Sequence, residues 1–141
     1  IPEWGYKFHM NDIAATVRLS NLKHVDRLLG INRSNAKYYD DHLKDCPGVT
    51  LLERDPRMNS SFWIYSLLVD DKQGFMDLMK KCNIIVSQVH ERNDMHSCVR
   101  EFRTHLPTLD KVKSKLISIP VGWWVTKEQR KYIVESIKGG W

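Results

Sequence analysis

No apolar run in this 141-residue chain approaches the roughly 20 residues that a membrane-spanning helix needs. The stretch around Cys82 to Val86 is only strand-sized. The amino end, Ile1-Pro2-Glu3-Trp4-Gly5, lacks the charged-then-apolar pattern of an export leader, and a chain that opens on Ile1 reads as a fragment of a longer protein. Cysteine is scarce: Cys46, Cys82 and Cys98 are an odd, widely spaced set that gives neither a disulfide framework nor the close pairs of a zinc finger. Reduced thiols in a cytoplasmic protein are the expectation. No Pro/Gly-rich linker, low-complexity tract or internal repeat divides the chain. Charge of one sign is also in short supply. The net charge is +5, but basic residues lie beside acids, as in Glu53-Arg54-Asp55-Pro56-Arg57, which suits a solvated mixed surface better than a nucleic-acid stripe.

What is present is the balance of one soluble domain, with 42% apolar and 28% charged residues. Asn11 is a helix cap followed by Asp12, and Ala15, Leu22, Leu29, Ala36 and Leu43 then recur at seven-residue spacing. Leu19, Val25, Leu28 and Tyr39 widen the stripe. This pattern predicts one long amphipathic helix to about Leu43, with a possible bend at Gly30, stopped by Cys46-Pro47-Gly48. Strands are expected at Val49 to Leu52, at Ser61 to Val69 (a central one, with Trp63 in the core), at Cys82 to Val89, and at Leu116 to Ile119. Short helices are expected at Lys72 to Lys81, with Phe75, Leu78 and Met79 inward, and at Val99 to Leu106. Thr126-Lys127-Glu128-Gln129 is a capping box opening a last helix, with Tyr132, Ile133 and Ile137 on its buried face and Gly139-Gly140 at its end. The fold class is α+β: a long N-terminal helix packed on a small mostly antiparallel sheet with further short helices, in a single domain over 1–141.

Three features carry candidate chemistry. The segment from Gly5 to Asn11 brings Lys7 and His9 to the start of a helix, whose free N–H groups favour anions. The densest polar cluster is His90, Arg92, Asn93, Asp94 and His96, where Arg92 has the planar fork that pairs with phosphate. A metal set of His90, Asp94, His96 and Cys98 matches no recognised ligand spacing, and an ordinary polar loop is the plainer reading. Trp123 and Trp124 suit a subunit interface or stacking on a base, although at least one is expected to close the edge of the core. His24, His42 and His105 fall in helical contexts and need no special role.

Three segments, in their order, resemble the carboxyl-terminal small domain of the DegT-type sugar aminotransferases. They are Gly5-Tyr6-Lys7-Phe8-His9-Met10-Asn11-Asp12-Ile13-Ala14-Ala15, then Ile85-Val86-Ser87-Gln88-Val89-His90 with Glu91-Arg92-Asn93-Asp94, and finally Leu116-Ile117-Ser118-Ile119-Pro120-Val121 with the capping box. The resemblance implies a homodimeric, fold-type I enzyme dependent on pyridoxal 5'-phosphate, moving an amino group, usually from glutamate, to a nucleotide-linked keto sugar. It implies cofactor contacts from Lys7 and Asn11, and substrate contacts from His9, His90, Arg92, Asn93 and Asp94. Lys7 and His9 stand where the family's commoner form has asparagine and arginine, and His96 lies one residue farther from His90 than the family's second histidine. The large domain that carries the Schiff-base lysine is not recognisable here, so the resemblance implies no catalytic residue in this chain, no cofactor bound to it, and no activity for it alone. The residues leave two other readings: a stand-alone basic nucleotide- or nucleic-acid-binding α+β module, and an assembly domain using its long helix at a dimer interface.

Overall fold

The computed structural model describes residues 10–89 and 91–141. Two helices, α1 (Asp12–Leu22) and α2 (Val25–Leu43), lead into strand β1 (Val49–Leu51) and strand β2 (Tyr65–Val69). Helix α3 (Lys72–Lys81), two short 3-10 turns (Asn93–Met95 and Ser97–Phe102), helix α4 (Pro107–Lys115), strand β3 (Leu116–Ile119) and helix α5 (Lys127–Lys138) complete the chain. The α+β class and the antiparallel sheet are as the sequence implies. The sheet order is β1-β2-β3, with Val49 opposite Val69, Leu51 opposite Leu67, Tyr65 opposite Ile119 and Leu67 opposite Ile117. Tyr65, Leu67 and Val69 alternate into the core along β2. There they meet Ala36, Tyr39 and Leu43 of α2, Phe75 and Met79 of α3, and Ile133, Val134 and Ile137 of α5.

The single long helix is a correction. The chain breaks at Lys23 and His24, where the N–H of His24 bonds to the carbonyl of Asn21 at 2.9 Å, and α2 restarts without a side-chain cap. The heptad stripe runs across the break, but only its second half is buried. Leu19 is 71% exposed and Leu22 61%, and α1 buries no residue at all. The bend therefore falls where the core ends and not at Gly30, which lies within α2. A Cβ at Gly30 would have no atom within 4 Å. Gly30→Ala is accordingly expected to stabilise the fold by about 0.5–1 kcal/mol, read as a higher midpoint in urea.

The strand expected at Ser61 to Val69 starts only at Tyr65. Phe62 takes a positive φ of 47°, its ring lies against the Arg54 guanidinium at 4.7 Å, and the next residue, Trp63, is left 64% exposed instead of in the core. Cys82 to Val89 is likewise mostly irregular. It touches the sheet at one bridge, Ser87 to Ser118, and Asn83, just after α3, adopts a positive φ of 57°. Val99 to Leu106 forms 3-10 turns followed by coil, so His105 is not helical, and the real helix is α4, which opens on Pro107. In α5 the capping box forms in both directions, at 2.9 and 3.2 Å, but Val134 takes the buried place expected of Tyr132, which is 50% exposed. Neither Trp123 nor Trp124 closes the core edge, being 52% and 61% exposed.

Candidate functional site

Three of the sequence candidates, Lys7, His9 and His90, lie outside the described residues. Asn11 is described, and its Oδ1 accepts the N–H of Ala14 at 2.9 Å as the cap of α1. That bond fixes the start of the helix and leaves the Asn11 amide for other partners.

The remaining candidates gather in the segment after His90, which α4 holds in place. Arg92 donates from Nε to Asp94 Oδ1 at 2.8 Å and from Nη2 to Asp94 Oδ2 at 2.6 Å, a fork-to-fork pair. Its Nη1 donates to Asp110 of α4. The side chain is only 12% exposed, and both edges of the guanidinium are occupied. Arg103 reinforces the turn, donating to the carbonyls of Asp94 and Met95, each at 2.7 Å. Lys113 of α4 pairs with Glu91 at 2.8 Å, and Lys72 donates to the Lys113 carbonyl at 3.1 Å. Asn93 is exposed, and its carbonyl accepts the N–H of His96 at 3.2 Å. The structure thus brings Arg92 and Asp94 together as a clamp and leaves Asn93 facing solvent. Among the described residues, no three His, Cys, Asp or Glu side chains converge as a metal cluster.

Sequence reasoning missed Asp110, Arg103 and the Lys113–Glu91 pair. The available signal was Pro107 in a first helical turn with Asp110 close behind it, a helix start that brings an acid towards Arg92.

The clamp titrates at its carboxylates. Hydrogen bonds from Arg92 hold Asp94 below its ordinary value of 3.8, and the Lys113 bond holds Glu91 below 4.5. Both are depressed in the folded protein. Their contribution is therefore complete above the ordinary carboxylate values and is lost as the pH falls through the lowered ones. Protection against hydrogen exchange at the amides of Met95 and His96, which bond to the carbonyls of Arg92 and Asn93, taken relative to the intrinsic rate at each pH, is expected to fall as Asp94 protonates at its lowered pKa, before the β2 amides lose protection.

A second polar arrangement holds the loop between β3 and α5. The Tyr39 hydroxyl donates to the Pro120 carbonyl at 2.7 Å, and burial pushes that hydroxyl's pKa well above the ordinary tyrosine range. Asn35 is 2% exposed, and its Nδ2 faces the carbonyls of Val121, Gly122 and Val125 at 3.2, 3.3 and 3.2 Å. A Cβ on Gly122 would lie 2.2 Å from the outer edge of the exposed Trp124 ring, so a side chain there would displace that indole. The two tryptophans meet edge to face, with centroids 5.9 Å apart.

Comparison with known proteins gives this geometry a context. The sugar aminotransferase CalS13 from Micromonospora echinospora superposes with a TM-score of 0.91 and 46% identity, covering 99% of this chain and 38% of that one. The erythromycin biosynthesis sensory transduction protein EryC1 from Saccharopolyspora erythraea is 21% identical over 141 residues, covering 96% of this chain and 38% of its own length. The dTDP-4-amino-4,6-dideoxy-D-glucose transaminase from Escherichia coli is 23% identical over 83% of this chain and 34% of its own length. The chain thus spans well under half of the relatives it matches. With residues 2–138 matching the DegT/DnrJ/EryC1/StrS aminotransferase family, over an α+β domain that a sugar aminotransferase shares along 99% of its course, the chain belongs to that family.

Proposed function

We propose that this chain is the carboxyl-terminal small domain of a pyridoxal-phosphate-dependent aminotransferase that moves an amino group, usually from glutamate, onto a nucleotide-linked keto sugar. The observation that carries the proposal is the match to CalS13 at 46% identity along nearly all of this chain but only 38% of that one. Bound pyridoxal phosphate supplies an electron sink for the amino transfer. The described residues do not fit its ring and reactive centre. Lys80 and Lys127, which line open grooves, are exposed, and Lys72, whose ammonium burial pushes down in pKa, has its Nζ on the Lys113 carbonyl. The ring and the reactive lysine are proposed to belong to a large domain outside this chain. The chain's own proposed part is an edge: Lys7 and Asn11 towards the cofactor phosphate, His9, His90, Asn93 and the clamped Arg92–Asp94 segment towards the sugar nucleotide. The exposed apolar residues of α1, Ile13 and Val17 among them, suit burial against the large domain or the partner of a homodimer.

The test uses the protein with its large domain. Supplied with glutamate and a nucleotide-linked 4-keto sugar, it is expected to release 2-oxoglutarate in step with an aminated sugar nucleotide, whereas the 141-residue chain releases none. A cofactor-loaded long form that turns over glutamate with no nucleotide-linked keto sugar would reject the assignment.

A further inference from the structure

We propose that Asp110 is a positioning residue for the sugar-nucleotide site: it holds Arg92, and through Arg92 the segment that presents Asn93, while the guanidinium itself takes no substrate phosphate. The proposal rests on the function given above.

Core packing does not place this part of the chain. None of residues 91–115 is buried, and neither the two 3-10 turns nor α4 contributes a side chain to the core. A segment with few buried apolar contacts opens easily unless polar links hold it. Helix α4 supplies such links. Asp110 and Lys113 stand three residues apart, on one face of that helix. The segment meets them with the opposite charges, in Arg92 and Glu91. The first pair has a shielded member, Arg92 at 12% exposure, whereas Lys113 and Glu91 are 37% and 59% exposed, so solvent screens the first pair less. The helix is in turn tied to the core. It runs directly into β3, its Lys115 pairs with Asp70 at 2.6 Å, and Lys72 donates to its Lys113 carbonyl at 3.1 Å. Position thus passes from the sheet through α4 and Asp110 to Arg92.

The guanidinium has no free edge for a phosphate. Two-point recognition of an anion uses two parallel N–H bonds, and the Nε and Nη2 of Arg92 already make them to Asp94, at 2.8 and 2.6 Å. A phosphate approaching the other side would meet the Asp110 carboxylate on Nη1 and be repelled by it. Arg92 therefore shapes the turn, and Asn93, the next residue and exposed, is the side chain it leaves open to a substrate.

The test uses the cofactor-loaded protein with its large domain, supplied with glutamate and a nucleotide-linked 4-keto sugar. Asp110→Ala is expected to raise KM for the sugar nucleotide about tenfold, with kcat changed by less than about twofold. Single-turnover release of 2-oxoglutarate from glutamate alone is expected to keep its wild-type rate. The melting temperature is expected to move by less than about 2 °C, because Asp110 is 53% exposed. Asp110→Glu, which keeps a carboxylate for Arg92, is expected to bring KM back to within about threefold of wild type. In an Arg92→Ala background, Asp110→Ala is expected to add less than about twofold, since one residue acts through the other. A wild-type enzyme that aminates the sugar, with a KM indifferent to Asp110→Ala, overturns the proposal and leaves the functional reading standing. So does a loss in Arg92→Ala about a hundredfold beyond that in Asp110→Ala, which would put the guanidinium on the substrate phosphate itself. A wild-type long form inactive towards nucleotide-linked keto sugars overturns the functional reading and this proposal with it.

Discussion

Asn35→Ala is expected to lower folding stability by about 3 kcal/mol, a large loss for one polar side chain. The amide has two hydrogens and faces three carbonyls, of Val121, Gly122 and Val125, from a position 2% exposed. Gly122 retains a second donor, the N–H of Val125 at 2.9 Å, but alanine takes away the side-chain donor shared by the other two. An unsatisfied buried carbonyl costs about 1–3 kcal/mol. The Arg130 guanidinium loses Asn35 Oδ1 in the same step, which adds to the cost. Asn35→Asp is expected to be at least as damaging, since a carboxylate would face those carbonyls with no hydrogen to give. Urea unfolding of both variants checks this. A loss under about 0.5 kcal/mol for the alanine variant would mean that the amide does not hold the loop.

Phe75→Ala is expected to cost about 3–5 kcal/mol. Phe75 is fully buried, and Trp141 meets it edge to face with centroids 5.0 Å apart and planes at 87°. The same indole lies 3.1 Å from where Gly48 would carry a Cβ, and 3.1 Å from the corresponding point of Gly74. Removing the phenyl ring takes the edge-to-face partner from an indole that the chain holds closely at Gly48 and Gly74, so the space closes only in part. Phe75→Leu, which keeps much of the volume, is expected to cost under about 1.5 kcal/mol. Denaturant midpoints give both values, and a red shift of indole emission in the alanine variant would report Trp141 loosening.

Local rules carried much of the fold. The Thr126 box, the Lys72–Lys81 helix and the Leu116–Ile119 strand were legible because each is set by a cap or a short apolar pattern within about ten residues. What failed needed knowledge of distant partners. The heptad stripe from Ala15 to Leu43 has no local mark at Lys23 and His24, because the break is set by where the core ends. Trp63 looked like a core strand residue until Phe62, one position earlier, turned under Arg54 instead. At the candidate site, Arg92 and Asp94 were legible as a polar cluster. The clamp was not, because its third member, Asp110, lies 18 residues away on a helix that no apolar period announced.

The break before α2 also divides the molecule mechanically. No residue of α1 is buried, while Ala36, Tyr39 and Leu43 of α2 are fully enclosed. A torque applied to α1 is therefore resisted at the joint by little more than the hydrogen bonds around His24, and very little of it reaches the sheet. On the proposed reading, in which the large domain or a homodimer partner covers α1, that outside contact would set its direction and supply the hydrophobic energy that fixes it. The core and the arm can be tuned independently, one by packing and the other by docking.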